Sequence, residues 1–388
     1  MIYLDYNGTT AVDPRVREAM LPYLGELYGN PSSSHWAGRQ VQPALARARE
    51  QVAALVGGEP EEIVFTAGGS ESDNLALKGL LLGRWADRLS QVHVVTSAVE
   101  HPAVYQTCRY LESLGVRVTY LEVDRQGRLT AAQVAAVLTE QTVLVSLMLA
   151  NNETGVVFPL AEIAALTRER GILLHTDAVQ AVGKVPLDVH ELGIDLLAIS
   201  GHKFYAPKGI GALWVRSGVE LEPLVHGGGQ EGGRRSGTEA VAAAVALGQA
   251  AELVLAGQEE ESRRVAGLRD RLEEQLLAAV PGIEFHGRSA PRVPNTSNFS
   301  VSGVDGESLR LHLDLRGFAV SAGSACASGS GKGSRVLLAM GVPPGIAQSS
   351  LRVSIGRWTT AAEIDAFVAA LAAVTADLRR ISPHKIAS

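Results

Sequence analysis

Residues 195–215, DLLAISGHKFYAPKGIGALWV, carry Lys203 at the end of an apolar run that breaks at Ser200-Gly201. An amine placed at the end of a buried strand is costly unless it is paired or neutralised, so the chain must supply a partner. A second apolar run, 171–178, passes into His175-Thr176-Asp177-Ala178-Val179-Gln180, which sets a carboxylate 26 residues before the lysine. Two further runs end alike: 92–98 leads to Glu100-His101, and 142–149 leads to Asn151-Asn152-Glu153. Taken singly, each residue reads as a solvated or capping side chain. Their joint placement at the ends of successive strands is harder to dismiss. A lysine and a carboxylate are the pair that pyridoxal phosphate requires. The lysine makes the Schiff base, and the carboxylate keeps the ring nitrogen protonated so that the ring accepts electrons.

That cofactor also needs a phosphate site. Phe65-Thr66-Ala67-Gly68-Gly69-Ser70-Glu71 runs from a strand through two glycines into a helix. Bare backbone at Gly68 and Gly69 admits a phosphate to the N–H groups of a helix start, and Ser70 adds a hydroxyl. Ser200, His202 and Thr238 are candidates to complete the shell. Two other glycine-rich stretches do not fit a nucleotide. Gly227–Gly232 matches G-x-G-x-x-G but follows LEPLVH, which opens no βαβ unit. Gly331-Lys332-Gly333-Ser334 has the wrong spacing for a P-loop.

The elements that must position these groups alternate. Strand-like runs at 61–68, 92–98, 142–149, 171–178, 195–200 and 210–215 interleave with helical stretches such as ESDNLALKGLL and AVYQTCRYLESLG. This predicts an α/β fold with a mainly parallel sheet covered on both faces, its ligand beyond the carboxyl ends of the strands. From about 258 the pattern changes. Apolar positions 265, 268, 272, 276 and 280 share a helix face. Strand-like pieces follow at 283–286, 296–302 and 317–321, and an amphipathic helix ends near Pro383. The expected division is an N-terminal arm over 1–14, a large cofactor-binding domain over 15–257 and a smaller α+β domain over 258–388.

Composition narrows the function classes. The 388 residues carry a formal charge of −6 with dispersed Lys and Arg, which gives no footprint for nucleic acid or an anionic membrane. The apolar stretch AVAAAVAL, 240–247, is short for a bilayer span, and MIYLDYNGTT has no signal-peptide pattern, so a cytoplasmic protein is expected. Two cysteines build neither a disulfide framework nor a cysteine-rich metal site, and no metal is expected. Cys108 reads as helix packing. Cys326 stands in VSAGSACASGSGKGS, 320–334, among small residues, as a reachable thiol on a flexible arm.

The segments YLDYNGTT, FTAGGSESDN, EHPAV, NNETG, HTDAVQ, SGHKFYAPKGIGAL, HGGGQEGGRRSGT, SGSACAS (here AGSACAS) and LRVSIGR run in order from residue 3 to 357. In them the chain resembles the NifS/IscS-type cysteine desulfurases of the class-V aminotransferase-like pyridoxal-phosphate enzymes. That resemblance implies the type I pyridoxal-phosphate transferase fold and a role for each matching residue. Lys203 would bind the cofactor covalently, Asp177 would meet the ring nitrogen, Gln180 the phenolic oxygen, and His101 would stack on the ring as acid and base. Gly69, Ser70, Ser200 and His202 would hold the phosphate, with Thr238 doing so from the partner subunit of a homodimer with shared active sites. Asn152 would lie near the phenolic oxygen and, with Arg352, the carboxylate of an L-cysteine substrate. Cys326 would take the sulfur as a persulfide, release alanine, and pass the sulfur to an acceptor such as an iron–sulfur scaffold or a thiolation protein. It would also be a possible transient cluster ligand. Gly8 and Ala11 replace the commoner Ala and Pro of the N-terminal motif, Ser70 the commoner Thr, and GSGKGSRVL the usual acidic-Pro stretch after the cysteine. Two alternatives stand beside this reading: a selenocysteine lyase or other class-V lyase in which Cys326 is dispensable, and a catalytically silent sulfur-relay scaffold.

Overall fold

The computed structural model describes residues 1–322 and 333–381. The chain opens with a short strand, β1 (Ile2–Tyr3). A seven-stranded sheet follows, built from β2 (Ile63–Thr66), β3 (His93–Ser97), β4 (Arg117–Leu121), β5 (Thr142–Ser146), β6 (Leu173–Asp177), β7 (Leu196–Ser200) and β8 (Gly211–Val215). Its order is β2-β8-β7-β6-β5-β3-β4. The pairs β7-β6, β6-β5, β5-β3 and β3-β4 are parallel, while β8 runs antiparallel to both β7 and β2. All the strand-like runs expected between 61 and 215 form strands. β4 is an addition: its RVTYL keeps only Leu121 buried, so it lacks the continuous apolar signature of the interior strands.

A second sheet uses β9 (Ile283–His286), β10 (Thr296–Val301), β12 (Ser321–Ala322) and β13 (Ser350–Ser354) in the order β12-β13-β10-β9, all antiparallel. β11 (Phe318–Ala319) pairs in parallel with β1 as a separate two-stranded sheet, and a bridge from Asp5 to Ser354 on β13 ties the N-terminal segment to the four-stranded one. Leu4 is buried in the same cluster as Phe299, Leu351 and Phe367.

The helix Val241–Ala279 joins the two sheets. Its first half, with Ala244, Leu247 and Val254, packs into the core around the large sheet, against the helix Trp36–Val56. Its second half, with Val265, Leu272 and Leu276, packs under the small sheet. It passes Gly257 without a break, because that glycine stays out of the left-handed conformation of a helix cap and no Pro follows it within the helix. Among the described residues it is the one helix long and apolar enough to cross a membrane by length and composition, and half of its most apolar stretch is buried inside the protein. The helical continuation beyond 247 makes that stretch longer than AVAAAVAL alone suggests.

Candidate active site

The carboxyl ends of β2, β3, β6 and β7 face one cavity of about 780 Å³. That lies within the range of roughly 300–1,000 Å³ usual for small-ligand sites. Of the residues singled out from sequence, Gly69, Ser70, His101, Asn152, Asp177, Gln180, Ser200, His202, Lys203 and Arg352 all line it. Thr238 does not. It lies exposed after the turn Gln230–Gly233. Cys326 lies outside the described residues, as does most of the segment expected to form its arm.

Each side chain owes its place to local structure. Asp177 ends β6, and the Val179 N–H donates to its Oδ1 at 2.9 Å. Burial raises its carboxyl above the ordinary value, and the nearby His101 and Lys203 pull it back down. Lys203 sits in the single helical turn Gly201–Lys203 that follows β7. Its Nζ donates to the backbone carbonyls of Asn7 at 2.5 Å and Gly8 at 2.8 Å. The next residue but one, Tyr205, holds φ at 73°, a left-handed conformation that a non-glycine residue adopts only when its surroundings enforce it. Its phenol accepts from the Arg357 N–H and donates to Glu261, which pins the turn.

His101 caps the helix Pro102–Ser113, its Nδ1 accepting from the Ala103 N–H at 3.2 Å. That bond leaves the Nε2 side of the ring for the cavity. Burial, reinforced by Lys203 and Arg335, holds the imidazole below its usual value against the pull of Asp177. His202 hydrogen-bonds Thr9 Oγ1 at 3.1 Å, and burial with Lys203 and Lys208 brings it down to about 4. Gly69 opens a helical run formed by Gly69–Asn74, Leu75–Gly79 and Leu80–Trp85. A Cβ there would stand 2.7 Å from Val179 Cγ2, so only glycine lets this helix start lie against the residues after β6.

The structure also brings in groups that carried no role in sequence. Asn7 is a hub. Its Nδ2 donates to Thr296 Oγ1 and the Asn152 carbonyl, its Oδ1 accepts from Asn295, and its carbonyl accepts from Gln180 Nε2 and Lys203 Nζ. Lys184 Nζ donates to Gln180 Oε1 at 2.6 Å, so the amide of Gln180 has one orientation. Asp73 is fully buried, and side-chain ligand atoms of Asp73, His101 and Asp177 lie within 4.8 Å of one another. Burial, then the charges of Asp177 and Glu100, push Asp73 far above the ordinary carboxylate range. Glu100 accepts from Ser97 Oγ and the Met148 N–H, and burial lifts it to about 8. On the other rim Ser334 Oγ donates to Glu153, and the Arg335 guanidinium donates to the carbonyls of Ala98 and Glu100 while stacking on Tyr105. Arg352, on β13, donates to Asp5 Oδ1 and the Asn152 carbonyl. Apart from Lys184–Gln180 and Ser97–Glu100, these contacts join residues far apart in sequence, and that is why periodicity did not find them.

By residue type Asp73, His101 and Asp177 are a set that a metal ion also accepts. The wider donor set favours a different ligand. An amine, a carboxylate, an oriented amide, two serine hydroxyls and a helix start in one cavity match the aldehyde, ring nitrogen, phenolic oxygen and phosphate of pyridoxal phosphate.

The aminotransferase class-V family matches residues 2–367. The chain belongs to that family. It is 50% identical over 385 residues to a cysteine desulfurase of Trichormus azollae, covering 99% of this chain and 95% of the relative. It is 44% identical over 384 residues to the cysteine desulfurase IscS of Dictyoglomus turgidum, covering 99% and 97%. Among solved structures, a NifS-like protein superposes with a TM-score of 0.90 at 35% identity, covering 97% of this chain and all of that one. Cysteine desulfurases of this family are pyridoxal-phosphate enzymes with this α/β fold, as the donor set requires.

Proposed function

We propose that the chain is a cysteine desulfurase that takes sulfur from L-cysteine, leaving L-alanine and a persulfide on Cys326. One observation carries the reading above the others: Lys203 and Asp177, from the ends of adjacent strands, line a single cavity. Bound there, pyridoxal phosphate supplies a ring that accepts the electrons released at the substrate Cα. The chain supplies the rest. Asp177, oriented by the Val179 N–H, holds the proton of the ring nitrogen. Lys203 would hold the cofactor covalently, and its Nζ, when free, would take the substrate Cα proton and later return it. Gln180 Nε2 donates to the phenolic oxygen, and Gly69, Ser70, Ser200 and His202 hold the phosphate. Arg352, with Asn152, grips the substrate carboxylate. His101 Nε2 moves a proton at the substrate sulfur. Cys326, as thiolate, attacks that sulfur. The S–S bond forms as the C–S bond breaks, and the electron pair stays with the carbon, which takes up a proton and leaves as alanine.

The proposal extends to a homodimer in which Thr238 of the partner subunit completes the phosphate shell. Leu21, Leu24, Tyr28 and Trp36, large apolar side chains exposed on one segment, support such an interface. It also includes a cytoplasmic location without membrane or nucleic-acid binding, and a protein acceptor for the sulfur such as an iron–sulfur scaffold. The division into an arm (1–14), a large part (15–257) and a small part (258–388) is supported by the separate buried clusters under the two sheets.

Mass spectrometry of the protein after incubation with L-cysteine tests the reading. A gain of one sulfur on Cys326 is expected, together with loss of alanine production in Cys326→Ala. Alanine formed at the wild-type rate by that variant would overturn the persulfide route, and selenide released from selenocysteine under the same conditions would point to the lyase.

A further inference from the structure

Arg352 already holds a carboxylate of its own chain. Its Nη2 donates to Asp5 Oδ1 at 2.6 Å, 347 residues away in sequence. Nη1 donates to the Asn152 carbonyl at 2.9 Å. Nε is buried without a hydrogen-bond partner. The guanidinium is enclosed, at 3% exposure, whereas the Asp5 side chain keeps 23%. The anionic half of the pair is therefore the half with room to move outward.

Residue 8 decides whether Asp5 can lie there. A Cβ on Gly8 would stand 2.4 Å from Asp5 Oδ2 and 3.0 Å from its Cγ, closer than a real methyl group approaches. An alanine at this position, the commoner residue in the motif this segment resembles, would push the carboxylate away from its present place. Gly8 and Arg352 both line the cavity, so the contact between Asp5 and the guanidinium lies at its wall.

We propose that Asp5 is a resident competitor for Arg352, occupying the guanidinium until the α-carboxylate of the substrate displaces it, with Gly8 providing the space. This inference rests on the reading of Arg352 as the carboxylate clamp. It makes Asp5 and Gly8 determinants of substrate affinity. Each binding event exchanges one ion pair for another, and a second carboxylate stays beside the first. The exchange weakens ground-state and transition-state binding alike, so its signature lies in KM and not in kcat.

The test compares Asp5→Asn, Gly8→Ala and Arg352→Lys in the cofactor-loaded protein, with calorimetric Kd for L-alanine alongside KM for L-cysteine. Alanine carries the same carboxylate and no sulfur, so its Kd reports binding without turnover. Asp5→Asn removes the charge, and Gly8→Ala displaces it without removing it. Both are expected to lower Kd and KM by about three- to fivefold, the scale of a partly exposed ion pair, without raising kcat. Arg352→Lys is expected to raise both. If Arg352→Lys raises Kd while the other two variants leave it unchanged or raise it, Asp5 is an orienting strut and the competitor role is overturned alone. If Arg352→Lys leaves Kd unchanged, the clamp reading falls and this inference with it.

Discussion

Lys203 Nζ lies 2.5 Å from the carbonyl oxygen of Asn7, a residue 196 positions earlier in the chain. The N-terminal arm thus reaches across the protein to provide oxygen acceptors for the amine expected to do the chemistry. β1 pairs with β11, and the Asn7 N–H donates to Ser354 Oγ, so the arm is fixed by the small sheet while its carbonyls meet a residue of the large one. The two carbonyl acceptors give the amine a fixed direction before any covalent bond is made.

If that amine anchors the cofactor, Lys203→Ala removes both the covalent link and the base. The purified variant is expected to lack the visible band near about 420 nm, the region of a protonated Schiff base. Its turnover of L-cysteine is expected to fall by about 10²–10⁴-fold, the range for loss of a positioned general base. Absorbance spectra and alanine release check both. A variant that keeps its colour would show that another group holds the ring.

Lys184 makes a second, less obvious prediction. Burial, and then the charges of Lys203 and Arg352, press its ammonium far below the ordinary lysine value. It nonetheless donates to Gln180 Oε1, which turns Gln180 Nε2 toward Asn7 and the cavity. Lys184→Met keeps the length of the stem and frees the Gln180 amide to rotate. With a donor to the phenolic oxygen weakened, the anionic form of that oxygen is disfavoured, so the pH at which the visible band titrates is expected to rise. kcat/KM is expected to fall about tenfold, the scale of one hydrogen bond to a charged group. Gln180→Ala should produce the same spectral shift, and the double variant should add little to it. Additive effects would mean that Lys184 acts independently of Gln180.

The contrast between these two lysines shows what the sequence makes legible. Lys203, Asp177 and His101 stand at the ends of continuous apolar runs, where a polar residue is conspicuous and the sheet order dictates its neighbours. Ser70 and Gly69 follow β2 directly in a strand–glycine–helix pattern. Asn7 and Asp5 give no such signal, because their partners lie up to 347 positions away on other elements, and Lys184 gives none because it lies in the irregular segment after β6, where no period marks an inward side chain. Asp73 is one acidic residue in ESDNLALKGLL, a stretch that reads only as helical; the fold reveals that its carboxylate lies beside His175 and Asp177. β4 escaped for a related reason, since an edge strand keeps polar residues that blur its period. The long helix Val241–Ala279 read as separate pieces because its composition changes from alanine-rich to charged where its burial changes from one core to the other. Helix geometry continued where composition did not.

Buried ionisable groups predict a stability maximum near neutrality. Burial lowers His175 to about 3 and His93 to about 4, with Arg117 assisting at His93. Both stand below the ordinary 6.5 in the folded state, so the unfolded chain binds the additional protons. Their contribution is complete above about pH 6.5 and is lost as pH falls toward 4. Glu100 works in the opposite direction. Burial raises it from 4.5 to about 8, so the folded chain keeps a proton that the unfolded chain releases, and stability is lost as pH rises through 8. Urea unfolding is expected to show both flanks, each with a slope of up to about 1.4 kcal/mol per pH unit per group. Glu100→Gln should make the alkaline flank shallower by the slope of one proton, the remainder coming from other raised carboxyls such as Glu153, and should steepen the acid flank above pH 4.5, where the wild-type Glu100 opposes it. An alkaline flank unchanged in that variant would assign it to another group.

A homodimer with shared active sites would allow a complementation experiment. Thr238 is exposed and does not line its own cavity, while Gly69, Ser70, Ser200 and His202 do. If Thr238 serves the other protomer, Thr238→Ala should weaken cofactor retention about tenfold, the scale of one hydrogen bond to a phosphate. Lys203→Ala should abolish turnover in its own site. A mixed dimer of the two variants then contains one site with Lys203 intact and Thr238 supplied by the Lys203→Ala chain. That site is complete, so mixing and re-annealing the two proteins should restore turnover at low cofactor concentration to about half the wild-type value per dimer that is mixed. If Thr238 acted within its own chain, the only site retaining Lys203 would still lack the hydroxyl, and mixing would restore nothing. The same result would follow if the chain remained monomeric, a case that size-exclusion chromatography separates from the first.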